Sequence, residues 1–243
     1  MDQLRKITDI KDIYIINLKH REDRKKDTKK ELKKINVKNY EFHPAIYGTT
    51  MEQSELDKIE DQVLNKIIAN IRHCHEELPS FNAIGTYLSH IEVCKKISKK
   101  KDDDKYMILE DDIKFDDNFI RILSNIWNTI PKDYDLLMLG YIPLIQNEYD
   151  MKRVNQNIVS NINFWDMQGY IITGRGAKKI LKEHDKIRLQ YHAYVRSLIE
   201  TNKLKVYFLL PPLIKSREKP ENMISDVQTN HSPNLKMIKF TNN

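Results

Sequence analysis

Three consecutive carboxylates, Glu110, Asp111 and Asp112, directly follow the apolar run Tyr106–Leu109. Such a run is typical of a buried parallel strand, and open α/β folds bind ligands at the edge where these strands end. Adjacent carboxylates repel one another, so a cation that neutralises them is favourable, and oxygen ligands suit hard ions such as Mg²⁺ or Mn²⁺. The same residues also fit a strand that ends in a solvated acidic turn. Taken alone, they leave both interpretations open.

A second group of metal-binding side chains, His73, Cys74 and His75, has no partner pair nearby. A tetrahedral zinc site normally takes about four well-spaced ligands, so we expect no zinc here. The cysteines, Cys74 and Cys94, are twenty positions apart without a CxxC pattern. This spacing argues against a disulfide framework and favours a reducing compartment.

The elements that would position these residues follow from apolar periodicity and turn residues. Predicted strands lie at Ile10–Leu18, Glu41–Ile46, Tyr106–Leu109, Tyr134–Tyr141, Phe164–Thr173 and Leu204–Leu210. Predicted helices lie at about Asp23–Ile35, Glu52–Ile71, Ala83–Ile97 and Phe119–Ile130, from Arg175 onward, and at Tyr191–Glu200. Strands that alternate with helices predict an α/β sandwich around a mostly parallel sheet.

We predict one domain over residues 1–243, with a helical segment at about 52–75 and an irregular tail at about 211–243. The polar stretch Gln146–Asn163 fits either a short hairpin or an active-site loop. A GxGxxG after the first strand, a GxxxxGK[ST] and a GxSxG are all missing from the sequence, which argues against dinucleotide-binding, P-loop and serine-hydrolase classes.

The composition is that of a globular chain, with 40% hydrophobic residues and 41 Lys and Arg against 35 Asp and Glu. The lysines alternate with acids and are not grouped with aromatics, so we expect no nucleic-acid partner. The formal charge of +6 favours an anionic substrate. No stretch has the length of a membrane span and no signal-peptide core follows Met1, so we expect a soluble, cytoplasmic protein.

Several motifs, in order, resemble those of glycosyltransferase family 25, which includes bacterial lipooligosaccharide galactosyltransferases and procollagen galactosyltransferases. The similarity spans nearly the whole chain, and six ordered motifs are more specific than any one of them. The matching segments are Tyr14–Leu18 with Arg21 and Arg24, His43–Gly48, Ile84–His90, Ile108–Ile113, Gly169–Ile172 with Gly176–Ala177, and Ser225–Val227.

The resemblance implies a GT-A-like (Rossmann-like) α/β/α sandwich, a UDP-sugar donor and a divalent cation, Mn²⁺ or Mg²⁺. It favours the metal interpretation of the carboxylates. Asp112 and Glu110 then become the expected metal ligands, and Asp111 points the other way, toward the ribose or a structural partner. The other residues that the resemblance implies at the donor site are Asn17, Arg21, Arg24, Ala45, Gly48, Ser89 and His90.

An inverting transfer needs a base for the acceptor hydroxyl, and Asp166 is our candidate, with Trp165 beside it to stack on an acceptor sugar. Family members commonly carry an aspartate after the "gA" helix, whereas Ile187–His192 contains none. We therefore take His192 as a second catalytic candidate. His231 is a candidate metal ligand from the tail.

The leading hypothesis is transfer of galactose or glucose from a UDP-sugar to a glycan or a hydroxylated protein side chain. The missing aspartate motivates an alternative, a catalytically silent binding or assembly protein that keeps the fold. A third hypothesis is another metal-dependent nucleotide enzyme, such as a nucleotidyltransferase. Its glycine-rich phosphate loop after the first strand is missing from the sequence.

Overall fold

The structure is a computed structural model that describes residues 2–145, 151–160, 162–217 and 227. The strands found there are β1 (Ile10–Asn17), β2 (Glu41–Pro44), β3 (Lys105–Glu110), β4 (Ile113–Phe115), β5 (Leu136–Pro143), β6 (Lys152–Arg153), β7 (Ile158–Ser160), β8 (Phe164–Thr173), β9 (Val206–Leu209) and β10 (Ile214–Ser216). The α-helices found there are α1 (Gln3–Thr8), α2 (Glu22–Lys34), α3 (Gln53–Leu56), α4 (Asp61–Ile68), α5 (Phe81–Ser98), α6 (Phe119–Ile126), α7 (Gly174–Glu183) and α8 (Tyr191–Glu200).

The strands form one sheet in the order β2-β1-β3-β8-β5-β9-β7-β6. β1 pairs in parallel with β2 and β3, and β5 pairs in parallel with β9. β8 runs antiparallel to both of its neighbours, β3 and β5. The sheet is therefore mostly parallel: six of these eight strands run in one direction, and β8 in the middle and β7 near the edge run in the other.

Both faces of this sheet are buried, as the apolar runs in its strands predict. Tyr14 and Ile16 of β1 belong to one core with α5, α7 and α8. Ile13 and Ile15 belong to the other core with α1, α2 and α6. Helices cover both faces, which confirms the predicted α/β/α sandwich.

The long helix predicted over Glu52–Ile71 is wrong, because two short helices, α3 and α4, replace it. The chain between them pairs with a distant segment. Ile59 forms a parallel bridge with Ile187, and the N–H of Ile187 donates to the carbonyl of Lys58. Backbone groups used in this pairing are not available for a continuous helix.

The tail predicted as irregular from residue 211 instead begins with β10, which pairs with β4 and touches β5. The polar stretch after β5 contains the antiparallel pair β6 and β7, in agreement with the hairpin alternative. We did not predict α1, which Asp2 caps by accepting from the N–H of Arg5. No helix in the described ranges has the length and apolar character needed to span a membrane.

Candidate active site

A cavity of about 300 Å³ opens where β1, β2 and β3 end and β8 begins. Because β8 is antiparallel to β3, its first residues lie at the same edge of the sheet as the end of β3. Charged and aromatic side chains that line the cavity are Arg24, Tyr47, Arg72, His75, His90, Glu110, Asp111, Asp112, Asp166, Tyr191 and His192. This edge is where parallel α/β sheets bind ligands.

Two of these carboxylates, Asp112 and Asp166, act on a third, Glu110. Burial raises the pKa of Glu110 well above its usual value, and the negative charges of Asp112, Asp166 and Asp111 raise it further. Arg24 opposes this shift. The floor of the cavity is therefore electronegative enough that a cation there would stabilise the ionised acids.

Asp111 lies in a different environment, although it is adjacent in sequence. Its carboxylate accepts from Asn17 Nδ2 at 2.7 Å and from Arg24 Nη1 at 3.0 Å. Its carbonyl accepts from Thr28 Oγ1 at 2.6 Å and from Arg217 Nη2 at 2.7 Å. Asp111 thus joins the end of β3 to β1 and α2, and this set of bonds fixes the turn that carries the acids.

Asp166 reaches the cavity through an irregularity in β8. Between the pairs Gly140–Gly169 and Ile142–Trp165, β8 has two more residues than β5. Asp166 lies in this bulge with a left-handed backbone, φ 59°. Bulges of this kind redirect a side chain, and a non-glycine residue at such a φ is often found at functional sites. Gln168 Nε2 donates to Asp166 Oδ2 at 3.3 Å.

The loop after β2 packs closely on α5. Ser89 Oγ accepts from the N–H of Ile46 at 2.8 Å and donates to the carbonyl of Gly85 at 2.6 Å. A Cβ on Gly85 would lie 2.3 Å from the carbonyl oxygen of Ile46, so only glycine allows this approach. Ala45 of the same loop lines the cavity. The G-x-x-x-SH motif therefore positions the loop by direct contact.

His90, one residue further along α5, lies beneath Glu110. Its Nε2 is 3.7 Å from Glu110 Oε1, and its Nδ1 is 3.0 Å from the hydroxyl of Tyr170. Its ring stacks on Tyr191 with a centroid distance of 4.4 Å. Burial, assisted by His43, lowers the pKa of His90 to about 3, so the ring is neutral at physiological pH.

His192 belongs to a segment that reaches the cavity from α8. Gln190, Tyr191 and His192 all line the cavity. Burial, followed by the charges of His75 and Arg196, lowers the pKa of His192 to about 4. The segment in which the resemblance leads us to expect an aspartate thus forms part of the cavity wall.

Comparison with known proteins gives the family. The model of "Glycosyltransferase family 25 (LPS biosynthesis protein)" matches residues 10–195. The chain belongs to glycosyltransferase family 25.

Relatives of this family 25 chain include Procollagen galactosyltransferase 1-A of Xenopus laevis, which is 28% identical over 184 residues, 73% of this chain and 29% of the relative. The Putative glycosyltransferase R655 of Acanthamoeba polyphaga mimivirus is 34% identical over 128 residues, 53% of this chain and 36% of the relative. The chain spans roughly a third of the length of these relatives.

Among solved structures, the galactosyltransferase LgtC in complex with donor and acceptor sugar analogs has a TM-score of 0.43 and 13% identity, covering 86% of this chain and 87% of that chain. The inositol-1-phosphate CTP transferase from T. maritima has a TM-score of 0.41 and 14% identity, covering 90% of this chain and 94% of that chain.

Of the residues predicted for the family 25 site, the structure brings one group into the cavity wall: Arg24, Ala45, His90, Glu110, Asp111, Asp112, Asp166 and His192. Others support this wall from behind or lie beside it. Asn17 holds Asp111, Ser89 and Gly48 hold the loop after β2, and Arg21 pairs with Asp23 at 2.7 Å. His231 lies outside the described residues.

Several residues of this site were not predicted from the sequence. Thr28 and Arg217 bind the carbonyl of Asp111, and Arg72, Tyr47 and Gln190 line the cavity. The residues that resemble "INL…R…R" end in the first part of α2. Thr28 comes later in that helix, so the motif does not identify it. No sequence pattern indicates Arg72 as a site residue, apart from its position before the His-Cys-His group.

The carboxylates of the cavity fit a hard divalent cation whose other ligands are substrate phosphates. Within residues 2–145, 151–160, 162–217 and 227, no group of three or more His, Cys, Asp or Glu side chains is arranged to hold a metal. Mg²⁺ is usually held by one or two carboxylates together with substrate phosphates, and Mn²⁺ accepts the same oxygen ligands. Glu110 and Asp112, which line the floor of a cavity large enough for a ligand, meet that requirement.

Proposed function

We propose that this chain is a metal-dependent glycosyltransferase that moves a hexose from a UDP-sugar to an acceptor hydroxyl with inversion. The observation that carries the proposal is the cavity in which Asp112, after the end of β3, and Asp166, near the start of β8, both raise the pKa of Glu110, in a chain of family 25. Relatives named procollagen galactosyltransferase make galactose the sugar we expect first.

The donor side of the reaction needs positive charge near a diphosphate. Arg24 lines the cavity beside the carboxylates. Guanidinium groups hold phosphate oxygens through paired hydrogen bonds. Mn²⁺ or Mg²⁺, held by Glu110 and Asp112, would offset the charge that develops on UDP as it leaves.

The acceptor side needs a base in reach of the hydroxyl that attacks. Asp166 fits this role because the bulge in β8 turns its carboxylate toward the cavity and Gln168 holds one of its oxygens. In a single displacement, the base and the leaving group lie on opposite sides of the anomeric carbon. Asp166 would accept the hydroxyl proton while UDP leaves on the side of Glu110 and Asp112.

A thermal-shift screen tests this function first. The protein is heated with UDP-galactose, UDP-glucose, their N-acetyl forms or GDP-sugars, each with Mn²⁺ or with chelator. A donor at a hundred times its Kd stabilises the folded state by about 2.7 kcal/mol, which for a chain of this size is a shift of roughly 5–11 °C. We expect that shift with one UDP-sugar and only with metal.

Two variants test the metal assignment, and one product assay distinguishes a transferase from the other two function classes. Asp112→Asn should remove the metal-dependent shift, whereas Asp117→Asn, at an exposed aspartate beyond the cavity, should keep it. A transferase also hydrolyses its donor slowly, whereas a nucleotidyltransferase releases pyrophosphate and a silent fold releases neither. An unchanged UDP affinity in Asp112→Asn would refute the metal assignment, and absence of donor turnover would favour the silent fold.

A further inference from the structure

Three aromatic side chains, Trp165, His75 and His192, contact one another in that order, with His75 in the middle, and we call them the aromatic wall. The ring centroids of His75 and Trp165 are 4.2 Å apart, and those of His75 and His192 are 5.6 Å apart. His75 and His192 line the cavity, and Trp165 directly precedes the candidate base Asp166. A molecule against this wall would therefore lie beside the proposed base.

The aromatic wall is held in place before any ligand binds. The N–H of Gln190 donates to the carbonyl of Glu76 at 2.9 Å. Its side-chain Nε2 donates to the carbonyls of His75 and, at 3.3 Å, of Glu77. The start of α8 and the His75 segment thus form one fixed unit, which lowers the cost of ordering the site on binding.

Two polar atoms of the wall have unused hydrogen-bonding capacity. His192 is 5% exposed. Within the part of the chain that the structure describes, His192 Nε2 and Trp165 Nε1 are buried and have no hydrogen-bond partner. Buried polar groups normally have partners, and an unmade bond costs about 1–3 kcal/mol, so such groups point to a ligand. Aromatic faces with polar edges match a pyranose, which has apolar C–H faces and hydroxyl groups.

A cation, Arg72, contacts the aromatic wall: its Nη2 lies 3.3 Å from Nδ1 of His75. Arg72 lines the cavity and is fixed through bonds to the carbonyls of Cys74 and His75, at 3.0 and 2.7 Å. Arg196 pairs with Glu76 at 3.0 Å. The pKa of His192, about 4, leaves the ring neutral at physiological pH, with one donor and one acceptor nitrogen. A lysine-like ammonium here would meet the charge of Arg72.

We propose that the aromatic wall is the acceptor subsite and that it selects a neutral pyranose over the hydroxylated side chain of a basic peptide. This inference rests on the proposed function, because an acceptor presupposes transfer. An acceptor hydroxyl oxygen attacks the anomeric carbon and forms the new glycosidic bond. The bond from that carbon to the β-phosphate oxygen breaks, UDP keeps the electron pair, and the hydroxyl proton passes to Asp166.

The test compares acceptors and variants. Wild-type protein is given the UDP-sugar that the thermal screen identifies, with Mn²⁺, and either neutral aryl galactosides and glucosides or a lysine-rich hydroxylated peptide. Trp165→Phe removes the indole N–H, and His192→Gln replaces the rigid ring and its fixed Nε2 with a flexible amide, while both keep most of the side-chain volume. His73→Gln is the matched control, since His73 is exposed and does not line the cavity.

We expect transfer to a glycoside. In His192→Gln and Trp165→Phe, the KM for that glycoside should rise about tenfold, the size of one lost hydrogen bond, while the KM for the donor changes by less than about twofold. His73→Gln should match wild type in both constants. Preferred transfer to the peptide, or an unchanged glycoside KM in both variants, would overturn the inference.

Direct binding separates this inference from the proposed function. If wild-type protein shows no turnover of any donor, the glycosides are tested alone by saturation-transfer NMR. Binding that His192→Gln abolishes and His73→Gln preserves would support a sugar subsite in a protein that is not a transferase. Absence of glycoside binding in that case would overturn the subsite as well.

Discussion

The two neighbouring aspartates, Asp111 and Asp112, should respond in opposite ways to the same substitution. The carboxylate of Asp111 accepts one hydrogen bond on each oxygen, from Asn17 and from Arg24. An amide has one acceptor oxygen, so Asp111→Asn leaves one of these donors facing an NH₂ group. The carbonyl of residue 111 keeps its bonds to Thr28 and Arg217. We therefore expect a folded but less stable protein.

The size of the effect follows from these contacts. Asp111 is 6% exposed, and a hydrogen bond to a charged group contributes about 1.5–3 kcal/mol. For a chain of this length that loss lowers Tm by roughly 3–12 °C. The Asp112 side chain is 14% exposed and lies 3.8 Å from Arg24. Because its charge raises the pKa of Glu110, Asp112→Asn also removes a repulsion. We expect its Tm without ligand to stay within about 3 °C of wild type.

Differential scanning fluorimetry without metal or donor measures the first effect, and the same assay with Mn²⁺ and the UDP-sugar measures the second. Asp111→Asn should start from a lower Tm and still rise when donor and metal are added. Asp112→Asn should start near wild type and show no rise. If Asp111→Asn is as stable as wild type, or if Asp112→Asn loses as much stability, the assignment of a structural and a metal-binding aspartate is wrong.

Three further predictions test other parts of the site. Asp166→Asn should keep the metal-dependent thermal shift with donor but lower the transfer rate by about 10²–10⁴-fold; retained turnover in a product assay would assign the base elsewhere. Ser89→Ala leaves the N–H of Ile46 without its acceptor and should lower the free energy of unfolding by about 1–3 kcal/mol in urea denaturation; a midpoint equal to that of wild type would contradict this contact. Because the folded pKa of His192, about 4, lies below the usual 6.5, the unfolded chain binds the proton more tightly, and wild type should lose about 3 kcal/mol as the pH falls from about 6.5 to 4. His192→Gln should lack this component, and identical pH profiles would show that the ring does not titrate as described.

Much of the sheet could be predicted because local patterns and tertiary packing agree there. The apolar run before Glu110 is a buried strand, and the turn after it carries the acids as expected. The break between α3 and α4 could not be predicted, because it depends on pairing of Ile59 with Ile187, far away in sequence. The short strand β10 likewise depends on its partner, since Ile214 pairs with Phe115.

Site residues were predictable where a sequence motif corresponds to a direct contact. They were not predictable where the backbone conformation determines the position of the side chain. Asp166 was selected from a Trp-Asp pair, but its left-handed φ and the bulge come from the register of β8 against β5. Ser89 was expected at the donor site, and its hydroxyl is used by the loop after β2. The roles of Thr28 and Arg217 depend on tertiary contacts with a carbonyl, for which the sequence has no local pattern.

The reversed strand β8 has a consequence for how this chain acquires its site during synthesis. β3 and β5 are not neighbours in the sheet, and each pairs with β8, which ends at Thr173. Until that residue has left the ribosome, the two halves of the sheet have unpaired edges that favour intermolecular pairing. Insertion of β8 also brings Asp166 to Glu110. Closing the sheet and assembling the acidic cavity are therefore the same folding event, and a nascent chain shorter than this would have neither.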